Sequence, residues 1–493
     1  YLDEFLGDAY TIINPYTFLV ADYLAKSAGL SFSPSRIYYI PSHIRKDTVA
    51  DGSDIQDRLV NLINVPDINL RSNLYTTEDF LDSLQVSKNY MADQNLYIRE
   101  RIFDMWTGDW NKTNENWEWQ SHTVNDSVIY TPIVIDRNHA FTKVDGVLFK
   151  QMLKMLSLDF ICNYDSLILK DTKKINKLAF ALDMAVAGRS DESVWIRQAQ
   201  EIRRQMTDSL IDSAFTYLPE GVKHDEIELI KRKLKRRRLE LEAVASQYYR
   251  LLQRTPVVAG TNQSDYFLIE RQAPDRTVLR IYDPETGDCR LEQQFSGKET
   301  KELWLYGLAG NDTFEVKGNT RKDFPIYLIS GEGENQYQLN HNRKIHVYDK
   351  DYKYDYQKIK YHKISFTPWG IYDSDKGISL GTFFTYTMYG FKRAPFTYQH
   401  RIGYNYLKGF MYAGIFPNYD GRRRLYLNAS ISSPRNFENF FGFGNNTAGY
   451  KEEKKNYNRV KLRTYMFNPS FEMDLRKEEV MTFFGSLDMY KAK

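Results

Sequence analysis

Two polar clusters, each following a run of apolar residues, organise our interpretation of this chain. Residues 101–119 read RIFDMWTGDWNKTNENWEW, and residues 130–141 read YTPIVIDRNHAF. The polar clusters are Asp109 to Thr113 and Asp136 to Asn138. Such a pair can place carboxylates and carboxamides around a metal-bound phosphate. It can equally be buried polar packing between a helix and a hairpin, and the residues alone leave both interpretations open.

Composition limits the class of protein. The 493 residues suffice for two to four domains, and 67 Lys and Arg against 64 Asp and Glu give a net charge of +3. This balance does not favour a nucleic-acid partner. The two cysteines, Cys162 and Cys289, are far apart and lack metal-ligand spacing, which excludes a disulfide framework. No apolar run reaches the ~18 residues of a transmembrane helix, although a strand-based membrane protein needs none.

The ends of the chain also carry expectations. The sequence begins at Tyr1 without a methionine or a signal peptide, so we expect a processed chain or a fragment. It closes on Lys491-Ala-Lys493 within a strand-rich region, where we expect the natural protein to continue.

Residues 1–254 are predicted to be mainly helical. Asn14-Pro15 precedes an amphipathic helix, Thr76 precedes DFLDSLQVS, and Asp93 precedes a helix that stops at Gly108. Apolar residues from Ile227 to Leu251 predict one long helix. Its basic run, KRKLKRRR at 231–238, is predicted to form either a solvated face or a site for an anionic partner such as lipid headgroups.

From residue 255 the apolar period becomes two, which predicts a small β-rich domain over 255–363. Two turns resemble each other, GLAGNDTFEV at 307–316 and SGEGENQYQL at 330–339. Both approach the glycine-aspartate calcium loop of parallel β-helices. Asp312 is therefore a candidate Ca²⁺ ligand, with Asn335 at the matching position of the second turn. The alternative is plain Gly-Asn turns of a β-domain.

Residues 364–493 contain about seven alternating segments of about ten residues with aromatic ends, which is typical of a transmembrane β-barrel. The competing interpretation is a soluble β-sandwich or a lipocalin-like barrel. Seven strands cannot close an even-numbered outer-membrane barrel. We therefore predict the N-terminal part of a barrel that continues beyond Lys493.

The order of these features resembles the BamA/TamA-type surface-antigen outer-membrane proteins. The resemblance rests on the GDW and DR clusters, the basic helix, GLAGND, GEGEN, GISLGTFFTYTMYGF at 377–391 and FFGFGNN at 440–446, and it covers nearly the whole chain. It is strongest to a long subgroup whose relatives carry an upstream calcineurin-like phosphoesterase domain. The metal motifs of that domain, GDxxDRG, GNHD and GHxH, are absent from this sequence.

The region before the barrel also resembles the C-terminal lobe of atypical kinases of the HipA, CotH and lipid-kinase type. The subgroup's motif is G-D-W-D-R-H-x-D-Q-W followed by D-R-D. This sequence matches it at Asp109, Trp110, Trp117, Asp136 and Arg137. It departs from the motif at Asn111, Lys112, Thr113 and Asn138.

These departures weaken the case for catalysis. Asn111 replaces the catalytic-type aspartate and cannot take a proton. No glycine-rich loop with a following strand lysine encodes an ATP-covering lobe. We therefore predict a degenerate, structural lobe, and we lean against enzyme activity for this chain. Asp109 and Asp136, the candidate catalytic positions, are expected to be anchors paired with cations such as Arg101 or Arg137.

Metal binding is a weaker expectation. Asp136 and Asn116 offer hard oxygen ligands that suit Mg²⁺ or Ca²⁺. The eight histidines show no paired ligand spacing. No organic cofactor is expected.

The predicted fold is α+β: a mainly helical, kinase C-lobe-like domain at 1–254, a β-rich domain at 255–363, and an incomplete antiparallel transmembrane β-barrel at 364–493. The resemblance implies a protein of the cell outer membrane with its N-terminal part in the periplasm. Its partners would be the lipid bilayer and other outer-membrane assembly or secretion proteins. The implied work is outer-membrane biogenesis, protein insertion or translocation. The alternative is a phosphoryl-transfer or phosphoesterase-linked envelope enzyme.

Overall fold

A computed structural model describes most of the chain. The described residues are 16–32, 35–42, 57–63, 73–144, 146–156, 158–222, 224–272, 275–318, 323–339, 344–348, 354–373, 377–390, 393, 395–418, 421–440, 459–476 and 479–492. Two sequence features, Asn14-Pro15 and most of FFGFGNN, lie outside them. The chain divides into two compact units, one of residues 1–149 and 159–357 and the other of residues 150–158 and 358–493. The predicted three-domain division stays a prediction.

Helices and several sheets share the chain, which confirms the mixed α and β class in its coarse form. Within the described residues the helices are α1 Thr17–Ser27, α2 Thr77–Val86, α3 Gln94–Thr107, α4 Val147–Met155, α5 Thr172–Ile175, α6 Phe180–Ala187, α7 Glu192–Gln205, α8 Asp208–Ala214, α9 His224–Arg238 and α10 Leu241–Leu252. None of these helices combines the length and apolar character needed to cross a membrane.

The helix-end signals in the sequence are confirmed at α2 and α3. The Thr76 hydroxyl accepts from the backbone N–H of Asp79 at 3.1 Å and caps α2. The Asp93 carboxylate accepts from the N–H of Leu96 at 3.0 Å and caps α3. Gly108 ends α3 with a φ of 79°, a left-handed conformation that glycine adopts without strain.

The single helix predicted from Ile227 to Leu251 is instead two helices, α9 and α10. Between them, the N–H groups of Leu239 and Glu240 donate to carbonyls three residues back, at 3.1 and 3.0 Å. This tighter turn ends α9 and sets α10 off as a separate helix. The apolar spacing continues across the break, so periodicity alone could not reveal it.

Short strands accompany the helices. The strands are β1 Ser35–Ile40, β2 Arg58–Ile63, β3 Leu74–Thr76, β4 Tyr90–Ala92, β5 Trp117–Val124 and β6 Ser127–Val134. Strands β1 and β2 form an antiparallel pair, and the other four form a sheet of order β3-β5-β6-β4. The first polar cluster precedes β5 and the second follows β6. The β5–β6 hairpin therefore connects the two clusters.

The β-rich region forms two facing sheets. Its strands are β7 Val257–Ala259, β8 Tyr266–Gln272, β9 Arg276–Tyr282, β10 Cys289–Ser296, β11 Leu303–Tyr306, β12 Thr313–Lys317, β13 Ile326–Ile329, β14 Gln336–Leu339 and β15 Ile345–Tyr348. One sheet has the order β15-β13-β11-β7 and the other has β10-β9-β8-β12-β14. Apolar residues of both sheets share one buried core, including Val258, Phe267, Leu305, Phe314 and Leu328.

The chain winds between these sheets in stacked coils. Strands β7, β11, β13 and β15 pair in parallel, and so do β8, β12 and β14. A six-residue turn joins the sheets in three successive coils, and the turns are 260–265, 307–312 and 330–335. The likeness of the second and third turns was predicted from the sequence. The first turn, GTNQSD, was missed because it contains only one glycine.

The second unit contains one nine-stranded antiparallel sheet. Its strands are β16 Lys363–Asp373, β17 Gly377–Met388, β18 Tyr398–Asn405, β19 Gly409–Pro417, β20 Arg423–Ile431, β21 Phe437–Asn439, β22 Arg459–Arg476, β23 Glu479–Phe484 and β24 Leu487–Ala492. The order is β16-β17-β18-β19-β20-β22-β21, and β23 and β24 also pair with β22.

Three features of this sheet differ from the seven predicted segments. Strand β16 was missed because Pro368 and Gly370 look like breakers, yet both lie in register opposite β17. Two predicted segments merge across Asn468-Pro469 into the 18 residues of β22. The last predicted segment divides into β23 and β24. Proline is tolerated in β16 because the strand lies at one end of the sheet order, where an N–H need not donate.

Candidate functional site

The structure brings the two polar clusters together. The Lys112 ammonium donates to the carbonyl oxygen of Asp136 at 3.1 Å. The N–H of Ile135 donates to the carbonyl of Asn116 at 3.0 Å, and the N–H of Phe141 donates to that of Thr107 at 2.9 Å. Backbone hydrogen bonds thus join the loop after α3 to the loop after β6.

Asp109 is buried, and its cation partner differs from the one expected. Its carboxylate pairs with Lys112, not with Arg101 or Arg137, and both side chains of the pair are 0% exposed. The same ammonium lies 3.8 Å from Asp104 Oδ1. Burial raises the pKa of Asp109 to about 6, and Lys112 opposes that shift. A substrate could not reach this carboxylate without opening the fold.

Arg101 anchors a second buried cluster. Its guanidinium donates to Asp183 at 2.8 Å, to Asp104 at 2.7 Å and to Asn176 at 2.7 Å. Two buried hydroxyls also donate to Asp183, those of Tyr97 and Tyr248. These bonds tie α3 to α5, α6 and α10. The arginine is therefore a hub that holds the helical region together.

Arg137 forms a third buried pair, with Glu100. Its guanidinium carbon also lies 5.2 Å from the ring centroid of Phe103. Burial raises the pKa of Glu100 to about 7, and Arg137 opposes that shift. The arginine of the DR cluster therefore binds back onto α3, and it does not face an open site.

The three buried clusters just described contain four acids and three bases. The acids are Glu100, Asp104, Asp109 and Asp183, and the bases are Arg101, Lys112 and Arg137. A buried carboxylate without a full partner favours its protonated form. Glu100 and Asp109 are the two acids of this set whose pKa is raised.

The polar side chains nearer the surface are Asn111, Asp136 and Asn138, all partly exposed. Asp136 Oδ1 accepts from the N–H of Asn138 at 3.3 Å. The amide oxygen of Asn116 already accepts from the N–H of Thr113 at 2.8 Å and from its hydroxyl at 2.9 Å.

Within the described residues, no three His, Cys, Asp or Glu side chains converge as a metal site. The Mg²⁺ or Ca²⁺ ligands predicted at Asp136, Asn116 and Asp312 remain predictions.

One basic residue of the run on α9 lies in the interior. Arg237 is buried, and it donates to the carbonyls of Met105, Trp106 and Asp165. The first two are carbonyls of the last turn of α3, which lack helical partners. Its guanidinium carbon lies 4.3 Å from the ring centroid of Tyr164. For Arg237 both earlier interpretations, a solvated face and an anion site, are wrong.

Exchanging Arg237 for methionine should lower the melting temperature by several degrees, because three carbonyls lose the guanidinium as a donor and two of those bonds are buried. A hydrogen bond from a charged group contributes about 1.5–3 kcal/mol. The matched control is Arg236→Met, one residue earlier on the exposed side of α9. Thermal denaturation of the two variants should separate them, and equal melting temperatures would contradict the role assigned to Arg237.

A polar ladder runs along the three six-residue turns. Each turn ends in a polar residue just before its strand: Asp265, Asp312 and Asn335. The Asp312 carboxylate accepts from the N–H of Asp265 at 2.8 Å, and the Asn335 amide oxygen accepts from the N–H of Asp312 at 2.9 Å. The side chains of Asp312 and Asn335 thus each satisfy the backbone of the coil before, which explains why these two turns share a polar last position.

Asp312 is the member of the ladder that lacks a full set of partners. Its Oδ2 atom is buried without a hydrogen-bond partner among the described residues, and it packs against Gly307, where any side chain would collide with it. Burial raises the pKa of Asp312 to about 7. The carboxyl group is therefore protonated in mildly acidic solution and becomes an unsatisfied buried charge above neutral pH.

Because the folded state holds the Asp312 proton more tightly than the unfolded state, stability should fall as pH rises from about 4 through 7. Asp312→Asn should remove this contribution. The variant should match the native chain near pH 4 and exceed it near pH 8 by on the order of 1–3 kcal/mol. The reciprocal control, Asn335→Asp, should lose stability as pH rises. Urea denaturation at the two pH values measures both, and pH-independent differences would refute the assignment.

Comparison with known proteins adds little to this geometry. No protein-family model and no curated protein matches the chain. The solved structure of the Helicobacter pylori proinflammatory kinase CtkA is similar at 16% identity, over 48% of this chain and 86% of that one, with a TM-score of 0.28. HipA of Shewanella oneidensis MR-1, in a complex with HipB and its operator DNA, is similar at 12% identity, over 46% and 57% of the two chains, with a TM-score of 0.22. Neither likeness is close enough to carry an argument about fold or function.

Proposed function

We propose that the sheet of residues 363–492 faces a lipid bilayer, and that the chain is an outer-membrane protein of the BamA/TamA surface-antigen type with its preceding region in the periplasm. Its work would be outer-membrane biogenesis, through the insertion or translocation of polypeptide. The observation that carries the proposal is the separation of apolar and polar residues onto the two faces of the sheet.

The strand register defines the apolar face. One row of directly opposed residues crosses seven strands, and its members are Phe366, Phe384, Ile402, Tyr412, Ala429, Phe467 and Leu487. Opposed residues lie on the same face of a sheet. Several members are strongly exposed, among them Phe384 at 55%, Ile402 at 57% and Leu487 at 60%.

The neighbouring row defines the opposite face. Its members are Ser365, Thr385, Arg401, Ala413, Asn428 and Asn468. Five of the six are polar or charged, and none has an aromatic ring. Between these two rows, a single-residue shift along each strand exchanges a mainly apolar row for a mainly polar one, as in a sheet with lipid on one side and water on the other.

A soluble sheet would bury its apolar face in a core. Burying a large apolar side chain contributes about 1.5–3 kcal/mol, so a row of exposed aromatic residues forgoes a large stabilisation in water. Lipid supplies the missing contacts. Exposed apolar patches of this extent mark membrane or partner surfaces.

The experiment is fractionation of the natural full-length protein after expression in a Gram-negative host. We expect it in the outer-membrane fraction, with a gel mobility that changes on heating, as folded membrane sheets show. A product that remains soluble and monomeric without detergent would overturn the proposal. A product confined to the inner membrane would overturn the assignment to the outer membrane.

A phosphoryl-transfer function is the second candidate, and the adjacency of the two polar loops is the observation that favours it. The burial of Asp109 in an ion pair and the amide at Asn111 oppose it. We expect calorimetry with Mg-ATP to show no binding tighter than the millimolar range, about −4 kcal/mol. Micromolar binding that is lost in Asp136→Ala would establish the enzymatic alternative instead.

A further inference from the structure

A cavity of about 360 Å³ lies within the first unit, between the helical region and the stacked coils. Its walls come from the end of α2 and strand β4, from α6 and the residues after it, and from the first six-residue turn with strands β9 and β10. The apolar part of the lining includes Leu84, Met91, Val186, Ile281 and Leu291. The polar part includes Lys88, Arg189, Thr261, Asp265 and Arg290.

Hydrogen bonds fix these walls relative to one another. The N–H of Asn262 donates to the carbonyl of Gln85 at 2.6 Å. The N–H of Lys88 donates to the Gln263 side chain at 3.3 Å. On the opposite wall, the Gln94 amide donates to the carbonyl of Val186 at 2.9 Å. The cavity is therefore built by the fold, and it is not a gap between loosely packed segments.

Two of the three cations in the lining already have a carboxylate partner. Lys88 and Arg290 contact the two oxygens of Asp283, at 3.0 and 2.7 Å. A backbone hydrogen bond from Glu285, together with these two contacts, holds the pKa of Asp283 well below its usual range. One carboxylate thus serves two cations, which leaves this side of the cavity with an excess of positive charge.

Arg189 is the third cation, and it has a different environment. It is partly buried, and it donates to the carbonyl oxygen of Ala259 at the end of β7. In the part of the chain that the structure describes, no carboxylate lies within ion-pair distance of its guanidinium. Burial lowers the pKa of Arg189, and Tyr354 and Asp265 oppose that shift. Arginine side chains removed from water are ordinarily paired.

Asp265 acts on Arg189 through space but forms no ion pair with it, because the Asp265 carboxylate is engaged within its own turn. Its carboxylate accepts from the N–H of Thr261 at 2.7 Å and from its hydroxyl at 3.0 Å. Burial raises the pKa of Asp265, so the surroundings of this acid do not favour its charged form. The cavity therefore combines an apolar body, a guanidinium with unused donors and a surplus of positive charge.

We propose that this cavity binds a small organic anion, whose carboxylate or phosphate group pairs with Arg189 and whose apolar part packs against Leu84, Val186 and Ile281. A guanidinium offers several N–H donors in one plane, which suits bidentate contact with either anion. Apolar cavities of this size with a few convergent polar groups are the usual form of small-molecule sites. The site is separate from the Asp109 cluster and from the apolar face of the sheet.

The test uses the full chain in detergent and two probes, para-fluorobenzoate for a carboxylate and para-fluorophenyl phosphate for a phosphate. Fluorine NMR of each probe should show saturable binding with a dissociation constant near or below ~1 mM. Arg189→Met should weaken the better probe by about tenfold or more, because it removes the ionic partner. The matched control, Arg250→Met, alters a cation paired on the surface of α10 and should leave binding unchanged.

A second variant distinguishes loss of the binding site from a folding defect caused by Arg189→Met. Ala185→Phe fills the cavity from α6 and leaves the arginine in place, so it should abolish binding while thermal denaturation remains cooperative. The preferred probe identifies the anion class. Absence of saturable binding to the native chain, or equal affinity in the native chain and both cavity variants, would overturn the proposal. Either result would leave the membrane assignment untouched, because fractionation tests that separately.

Discussion

Replacing Lys112 with methionine is expected to lower the free energy of unfolding by about 3–5 kcal/mol, because the change leaves Asp109 buried without its cation. The ammonium makes three contacts, with Asp109, with the carbonyl of Asp136, and with Asp104 at 3.8 Å. Methionine keeps much of the volume and removes every one of them. The result is an uncompensated carboxylate in a site that water does not reach.

The loss of stability in the Lys112→Met variant is expected to depend on pH. The native pKa of Asp109 is about 6, and removal of Lys112 takes away the charge that opposes its rise. Protonation then relieves the unpaired charge, so the deficit of the variant should be largest above neutral pH, should shrink as pH falls towards about 6, and should be smallest below that value, where Asp109 is protonated in both proteins. A deficit independent of pH would point to lost packing instead of lost charge.

Urea denaturation followed by tryptophan fluorescence suits the measurement. Six of the seven tryptophans belong to the first unit, and Trp106, Trp117 and Trp119 are buried near the site. Lys143→Met is the matched control, since Lys143 pairs with Glu226 and is 51% exposed. Exposed pairs contribute about 0–1 kcal/mol. Similar losses in the two variants would contradict the anchor role of the Asp109 pair.

Introducing arginine at Phe384 is expected to disrupt folding of the sheet of residues 363–492 into lipid, because it places a charge on the proposed lipid-facing surface. Arginine on that surface costs about 2–4 kcal/mol near the middle of the bilayer. In a soluble sheet the same substitution would be harmless or favourable, since Phe384 is 55% exposed to water. The variant therefore distinguishes the two interpretations of the sheet by the sign of its effect.

Asn428→Arg provides the control within the same sheet. Asn428 lies in the polar row that already contains Arg401, so an added arginine should be tolerated there. We expect folding into lipid vesicles, followed by the heat-dependent gel shift, to fail or weaken for Phe384→Arg and to persist for Asn428→Arg. Equal folding of both variants would remove the main support for a lipid-facing surface.

Local signals in the sequence were sufficient to predict several helices, strands and turns. The caps at Asp93 and Gly108 depend on backbone groups within four residues, and for that reason the bounds of α3 could be predicted. The alternation along β17 to β20 is also local, because a strand places successive side chains on opposite faces. The shared ending of GLAGND and SGEGEN indicated equivalent turns before any pairing was known.

The partners of the buried charges could not be predicted in this way. The sequence presents Lys112 and Arg101 as equally available to Asp109, and only the path of the chain after α3 brings the lysine onto it. Arg237 is more than a hundred residues from the α3 carbonyls that it binds. In the sequence it is one member of a basic run, and nothing local indicates that it is buried. Choosing among cations requires distances across the fold, and no local pattern encodes them.

The sequence by itself determined the order of helices, short strands and alternating strands, because each depends on a period of a few residues. Only the tertiary structure decided that GTNQSD is the first of three stacked turns, that Asn468-Pro469 lies within one long strand, and that Arg189 lines a cavity. Each of these follows from pairing between distant segments. A turn becomes a coil, and a proline becomes part of a strand, only when neighbouring strands supply the register.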